Sequence, residues 1–319
     1  MSGLLCRRFA FLVLIALLLG GGCTGYEADR YFYRARELQG RQDYGGAIAA
    51  YRRAVDLEPD HVLARLYLGL LYMAQEQYPE AIDSYIQVVE IEPEYARVRS
   101  ELALAYAAEE MYDAAIGQWE EAAELLPDDL DAHIGLGWAY RMQGRYDDAI
   151  ERYRKILDLK PDYTRVRLDL ADAYARKGQH DLALSEYQEL LALRPGYVDA
   201  RMGLAGMYVD TGRLDDAILE YRAVISLDPD HAMAYNNLAW IYAEQGIQLD
   251  EGIRLSMRSL VLDPEVANYW DTLAELHYRK GEYEPAIRFL RRALRLQPDD
   301  PYLEEQLRKF MVAERRITP

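Results

Sequence analysis

Eight prolines constrain this chain more than any other feature. Pro59, Pro93, Pro127, Pro161, Pro195, Pro229, Pro264 and Pro298 follow one another at intervals of 34 residues, with a single interval of 35 after Pro229. Each closes a phrase of one kind: DLEPD, EIEPE, DLKPD, SLDPD, RLQPD. Proline breaks a helix interior and turns its predecessor away from the α region. A regular beat of prolines at this spacing therefore leaves room for two short helices and a turn, which is the signature of a helix–turn–helix repeat array.

The residues inside each period agree. A column of small residues runs through Ala35, Gly69, Ala103, Gly137, Ala171, Ala205, Ala239 and Ala274, and a second through Ala47, Ala81, Ala115, Ala149, Ala183, Ala217, Gly252 and Ala286. Small residues are needed where two helices cross closely. A leucine column runs from Leu68 to Leu273. Sixteen of the 27 tyrosines, against five phenylalanines, fall into three columns: Tyr72 to Tyr242, Tyr51 to Tyr221 with Trp119 in it, and Tyr44, Tyr78, Tyr112, Tyr146 and Tyr283. Aromatic residues recurring once per repeat are packing positions around the crossing, not a cofactor box. Gly144, Gly178, Gly212, Gly246 and Gly281 mark the turn between the two helices. Glu76 and Glu110 replace glycine there, which predicts altered turns in the second and third repeats, and the extra residue in AEQGIQLDEGI predicts a bulge in the seventh.

This combination resembles the tetratricopeptide repeat (TPR) family, with eight copies across residues 28–300. The resemblance implies an all-α, right-handed superhelical solenoid. Arg34, in place of a column leucine, reads as a polar N-terminal edge. Residues 301–319 read as a capping helix and tail, with Leu303, Leu307 and Phe310 at helical spacing.

The N-terminus reads as an address. Residues 1–22 carry Arg7 and Arg8, an apolar run from Phe9 to Leu19, and then three glycines. This is the plan of a secretory signal, and it is short for a membrane span. Cys23 follows at once and resembles the lipid-modified cysteine of bacterial lipoproteins, although Gly20 stands where the lipobox usually has leucine. Plain secretion through ordinary signal peptidase is the alternative. Residues 23–27 would form a short tether, four residues of which reach at most about 14 Å. Losing residues 1–22 removes two arginines and leaves 35 basic against 54 acidic residues, a net charge of −19. That balance argues against nucleic acid and against adsorption on anionic lipid, so the expected membrane contact is the lipid alone. A threonine after the cysteine implies the outer membrane, on its periplasmic side, if the envelope is Gram-negative.

No catalytic chemistry is expected. Cys6 and Cys23 are the two cysteines, and no histidine pair has zincin spacing. There is no G-x-S-x-G, no phosphate-binding loop and no dinucleotide fingerprint, and no cofactor or metal is expected. The paired carboxylates recur with the repeat and read as solvated turns.

Binding is the remaining task. In the resembled family the first helix of each repeat lines a concave groove, at its second, fifth, ninth, twelfth and thirteenth places. Carried over, these places hold Leu63, Leu66, Leu70, Met73, Leu104, Ile134, Trp138 and Met142 toward the N-terminus. Toward the C-terminus they hold Arg165, Leu168, Asp172, Arg176, Met202, Met233, Asn236, Trp240 and Glu275. The partner expected is a protein or peptide with an amphipathic face; packing against the neighbouring repeat is the alternative for Leu70 and Leu104. An arginine column, Arg65, Arg99, Arg167 and Arg201, reads either as a reader of acidic segments or as inter-repeat pairing with acids such as Glu94 and Asp162.

The expectation is a non-catalytic scaffold of the bacterial cell envelope, serving assembly of a pilus, secretin or peptidoglycan-enzyme machine. A component of polysaccharide synthesis or export, or a secreted glycan-binding protein, is the competing reading. Cys23→Ser should leave the fold intact and move the protein from the membrane to the soluble fraction; persistent membrane association would count against lipidation.

Overall fold

The computed structural model describes residues 25–316. Residues 1–22 and Cys23 lie outside the described residues, so the signal and lipidation expectations concern a segment the structure does not describe. The described secondary structure is helical throughout. In chain order the elements are α1 (25–40), α2 (Tyr44–Leu57), α3 (Val62–Ala74), α4 (Tyr78–Ile91), α5 (Ala96–Ala108), α6 (Tyr112–Leu125), α7 (Leu130–Met142) and α8 (Tyr146–Leu159). They continue as α9 (Thr164–Arg176), α10 (His180–Leu193), α11 (Val198–Asp210), α12 (Leu214–Leu227), α13 (Ala232–Gln245), α14 (Leu249–Leu262), α15 (Ala267–Arg279), α16 (Tyr283–Leu296) and α17 (Pro301–Arg315). Odd-numbered helices open a repeat and even-numbered helices close it. The chain divides into two compact units, one holding α1–α8 up to Pro161 and one holding α9–α17 from Asp162.

Each of the first six repeats closes on an aromatic ring. The ring at the twenty-fourth place rises from the second helix and meets the small column of the first. A Cβ built on Gly69 would land on the Tyr85 ring, and one built on Gly137 would land on the Tyr153 ring. Tyr51, Tyr85, Trp119, Tyr153, Tyr187 and Tyr221 are all buried. The ring also reaches the next repeat: Gly135 faces Trp119, Gly203 faces Tyr187, and Tyr67 stacks on Tyr51 at 5.7 Å. One side chain thus contributes to both the crossing within a repeat and the seam between repeats. Truncating such a buried ring typically costs about 3–5 kcal/mol. In the seventh repeat Ser256 stands there instead and donates to the Tyr269 carbonyl at 3.3 Å.

The tyrosines of the eleventh place add a polar stitch. Arg52 Nε donates to Tyr72 Oη at 2.7 Å, Tyr140 Oη donates to Glu120 at 2.5 Å, and Arg222 donates to Tyr242 Oη at 2.7 Å. Each pair joins the second helix of one repeat to the first helix of the next. The third tyrosine column departs from the core reading. Tyr44 is exposed and Tyr78, Tyr112, Tyr146 and Tyr283 are only half-buried, because they sit at the first residue of the second helix, beyond the crossing.

The prolines act as expected, and the turns around them explain the arginine column. The residue before proline is extended, as at Glu58 (ψ 92°) and Asp228 (ψ 90°). Proline is then the second residue of a β-turn closed by bonds such as His61 N to Glu58 O at 3.0 Å. Six residues on, the fourth place of the next helix donates to the proline carbonyl. Arg65 Nε does so to Pro59 at 2.6 Å, Arg99 Nε to Pro93 at 2.9 Å and Arg201 Nε to Pro195 at 3.0 Å. Where the column is not arginine, another donor takes over: His133 Nε2 to Pro127 at 2.9 Å, Tyr235 Oη to Pro229 at 3.2 Å and Trp270 Nε1 to Pro264 at 2.8 Å. The common requirement is an N–H or O–H of the right reach, not a positive charge.

The intra-repeat turns are not altered where glycine is absent. Gly144 has φ 73°, and Glu76 and Glu110 adopt the same left-handed backbone at φ 58°. The closing bonds match as well, Met111 N to Tyr106 O and Arg145 N to Tyr140 O both being 2.9 Å. The turn geometry is dictated by the packed helices on either side, and the glutamates absorb the strain. In the seventh repeat the inserted residue is accommodated by two left-handed positions, Gly246 (φ 66°) and Gln248 (φ 45°).

Helix α17 packs on α16 with Leu303 and Phe310 buried, and Phe310 stacks on Tyr278 at 4.3 Å. It is built like the first helix of a further repeat, except that Arg308 occupies the eighth place, where a small residue would be required to receive another ring.

A left-handed conformation costs a non-glycine residue roughly 1 kcal/mol. Glu110→Gly should therefore raise the unfolding free energy by about that amount in urea denaturation; a destabilised variant would show that Glu110 is held there by contacts of its own.

Candidate functional site

The expected groove residues fall into three groups. In the first unit Leu63, Leu104 and Met142 stand out from α3, α5 and α7 at 47, 48 and 48 % exposure. Leu70, Ile134 and Trp138 are half-buried, and Leu66 and Met73 are half-buried against the core cluster of the first repeats. The Trp138 ring meets Tyr112 edge-on at 5.7 Å. Among the third tyrosine column, Tyr112, which opens α6, thus flanks the ninth place of α7, whereas Tyr283, which opens α16, meets Tyr278 of its own repeat at 5.5 Å.

In the second unit Arg165, Arg176, Met233 and Trp240 are exposed. Arg165 is engaged by Asp169 one turn away, Nε to Oδ2 at 3.3 Å, which holds the guanidinium pKa above its ordinary value. Leu168 and Asn236, expected on the groove surface, are instead buried in the core, at the fifth place of their helices. Asp172 accepts from Tyr187 Oη, which together with burial pushes that phenol well above the usual range. Glu275 is held by Arg279 at 2.6 Å and by Lys309 of α17 at 3.5 Å.

The arginine column is engaged within its own repeat. Besides the proline carbonyls, Arg99 pairs with Glu121, Arg167 with Glu186 (2.6 Å) and Glu189 (2.5 Å), and Arg201 with Glu220 (2.5 Å). These carboxylates come from the second helix of the same repeat, not from Glu94 or Asp162. A guanidinium already satisfied on both sides has little to offer an external ligand.

Four of the five histidines are likewise engaged. His61 and His231 cap α3 and α13, each accepting a backbone N–H on Nδ1 at 3.2 Å. His133 is buried, which lowers its pKa and suits the neutral donor bonded to Pro127. His277 pairs with Glu282 at 2.6 Å. Among the described residues no cluster of three His, Cys, Asp or Glu could hold a metal ion, and no helix is long and apolar enough to cross a membrane.

Asp271, under α17, is the most perturbed carboxyl. Burial first, then the charges of Glu275 and Asp300, push its pKa from 3.8 up to about 6, against the pull of Lys309 and a hydrogen bond from Tyr302. Because its folded pKa is raised, its favourable contribution belongs to the protonated form. It is complete below the unfolded value and lost as pH rises through about 6. Asp271→Asn should stabilise the protein at pH 7.5 by about 2 kcal/mol, with the gain vanishing near pH 4. Urea unfolding at both pH values checks it, and an equal effect at both would remove titration as the cause.

The family model described as tetratricopeptide repeat matches residues 34–96, 100–164, 168–230 and 208–253, and a second model of the same description matches 267–300. The crystal structure of MamA protein is similar with a TM-score of 0.52 and 29 % identity, over 54 % of this chain and 93 % of that one. A tetratricopeptide repeat protein from Parabacteroides merdae aligns over 90 % of this chain and all of its own, with a TM-score of 0.57 and 17 % identity. YrrB, described as a TPR protein with an unusual peptide-binding site, aligns over 63 % of this chain and all of its own, with a TM-score of 0.50 and 22 % identity. No curated protein matches the chain.

Proposed function

The chain belongs to the tetratricopeptide repeat family, and from that premise we propose that it is a non-catalytic scaffold that binds a protein or peptide partner on the first-helix face of its repeats. The observation that carries this reading is Trp138. It is a large aromatic left half-exposed between Ile134 and Met142, buttressed by Tyr112, with Leu63 and Leu104 exposed on the neighbouring first helices. Exposed apolar side chains at the groove places of three successive first helices, with an ordered aromatic among them, suit contact with the apolar side of a partner. Large, preordered aromatic side chains dominate interface energetics.

The place of action we propose is the bacterial cell envelope. Support comes from the signal-like segment 1–22 and from Cys23 immediately after it. Lipid on Cys23 would hold the folded body close to the membrane while its own charge keeps it off the surface. An adaptor in the assembly of an envelope machine fits such a tethered, interaction-only body.

Crosslinking mass spectrometry on the native envelope, seeded from Met142, should identify a polypeptide partner. Against that partner, Trp138→Ala should lower affinity by about 2 kcal/mol while the melting temperature stays nearly unchanged. A sharp fall in melting temperature with normal binding by the folded fraction would make Trp138 a core residue. Capture of glycans and no polypeptide would transfer the surface to sugar recognition.

A further inference from the structure

The most sharply two-sided helix of the described chain is α16. Its buried side is Ala286, Ile287, Leu290 and Ala293. Its outer side carries Arg288, Arg291 and Arg295, three exposed guanidiniums at helical spacing, none of which pairs with a carboxylate among the described residues. Arg292, between them in sequence, is engaged by Glu265 at 3.2 Å. Arg288 lies over the Phe289 ring at 5.2 Å, and a row of arginines without carboxylate partners is unexpected where acids outnumber bases 54 to 37.

The arginines do not stand on a flat surface. A cleft of about 580 Å³ lies between α16 and α17, with Pro285, Ile287 and Met311 in its wall and Arg288, Arg291 and Arg295 on its rim. A second cleft of about 410 Å³ opens on the other side of the same ridge, walled by Leu294, Pro298 and Leu307. Arg291 and Arg295 border both. Cationic forks between two partly apolar recesses form a surface different in place and in chemistry from the Trp138 face.

We propose that the Arg288–Arg291–Arg295 ridge is a second docking surface, and that its occupant is an acidic, amphipathic polypeptide segment. Its carboxylates would take the guanidiniums in forked pairs, and its apolar side chains would enter the flanking clefts. Two observations favour a segment over an anionic membrane. Glu284, Glu304 and Glu314 line the same clefts, so a plane of negative charge would meet carboxylates together with the arginines. The chain's net charge of −17 opposes approach to an extended anionic surface, whereas a narrow segment senses the local charge within a Debye length of about 10 Å. Carboxylate is also the planar partner to which arginine binds through two parallel bonds.

The test uses the full chain and a labelled 16-residue helical peptide with leucines on one face flanked by glutamates, read by fluorescence anisotropy. The glutamate peptide should bind at least tenfold more tightly than its Glu→Gln counterpart, and binding should weaken with salt. Arg291→Glu/Arg295→Glu should weaken it at least tenfold. Trp138→Ala should leave it unchanged, which separates this surface from the one proposed above. Arg213→Glu/Arg254→Glu, an equal change of net charge away from this ridge, should have less than a threefold effect. Circular dichroism confirms the fold, and Arg291→Gln/Arg295→Gln replaces the reversal if it unfolds. The proposal is overturned if the glutamine peptide binds as well, or if the distant reversal weakens binding as much as the ridge reversal. It is also overturned if phosphatidylglycerol vesicles, and not the peptide, bind through the same arginines.

Discussion

The contact between a buried ring and a side-chain-free stretch of helix underlies everything else in this protein. Where Tyr85 covers Gly69 or Tyr153 covers Gly137, the two helices of a repeat approach until the ring fills the space a side chain would need. The same rings then meet the next repeat, so that the closure of each unit of sequence prepares the surface for the one after it. The proline turns and the eleventh-place tyrosines refine this arrangement, but neither could hold two helices together without the crossing. A chain with no cysteine after Cys23 and a large excess of negative charge is stabilised by repetition of one modest contact.

Much of this was legible in the residues themselves. The proline beat, the small columns and the buried tyrosine columns are periodic, and periodicity survives in a linear sequence. What was not legible depends on direction. The fourth place holds arginine, histidine, tyrosine and tryptophan, which look unrelated until each is seen donating to the same carbonyl. Glu76 and Glu110 suggested different turns because local preference was weighed without the packed helices that override it. The third tyrosine column shared its spacing with the buried ones and differed only in lying past the crossing.

The candidate surface shows the same division. Leu63, Leu104 and Met142 are exposed and Trp138 is half-buried. Leu168 and Asn236 stand at the fifth place of their helices and are covered, and Leu66 and Ile134 at the same place are only half-buried, because that place turns toward the packed side of a first helix more than the second, ninth and thirteenth do. Glu275 is engaged by α17, an interaction between residues far apart in sequence that no column of the repeat records.

Arg308 bears on how such a chain can lengthen over evolutionary time. Duplicating an internal repeat leaves every ring facing a small residue, so insertion is structurally silent at both new junctions. Adding a copy after α17 is different, since the incoming ring would meet a guanidinium stem where it needs bare backbone. A further repeat can therefore be accommodated ahead of α17 with that helix unchanged, whereas building one directly on α17 requires Arg308 to give way to a small residue.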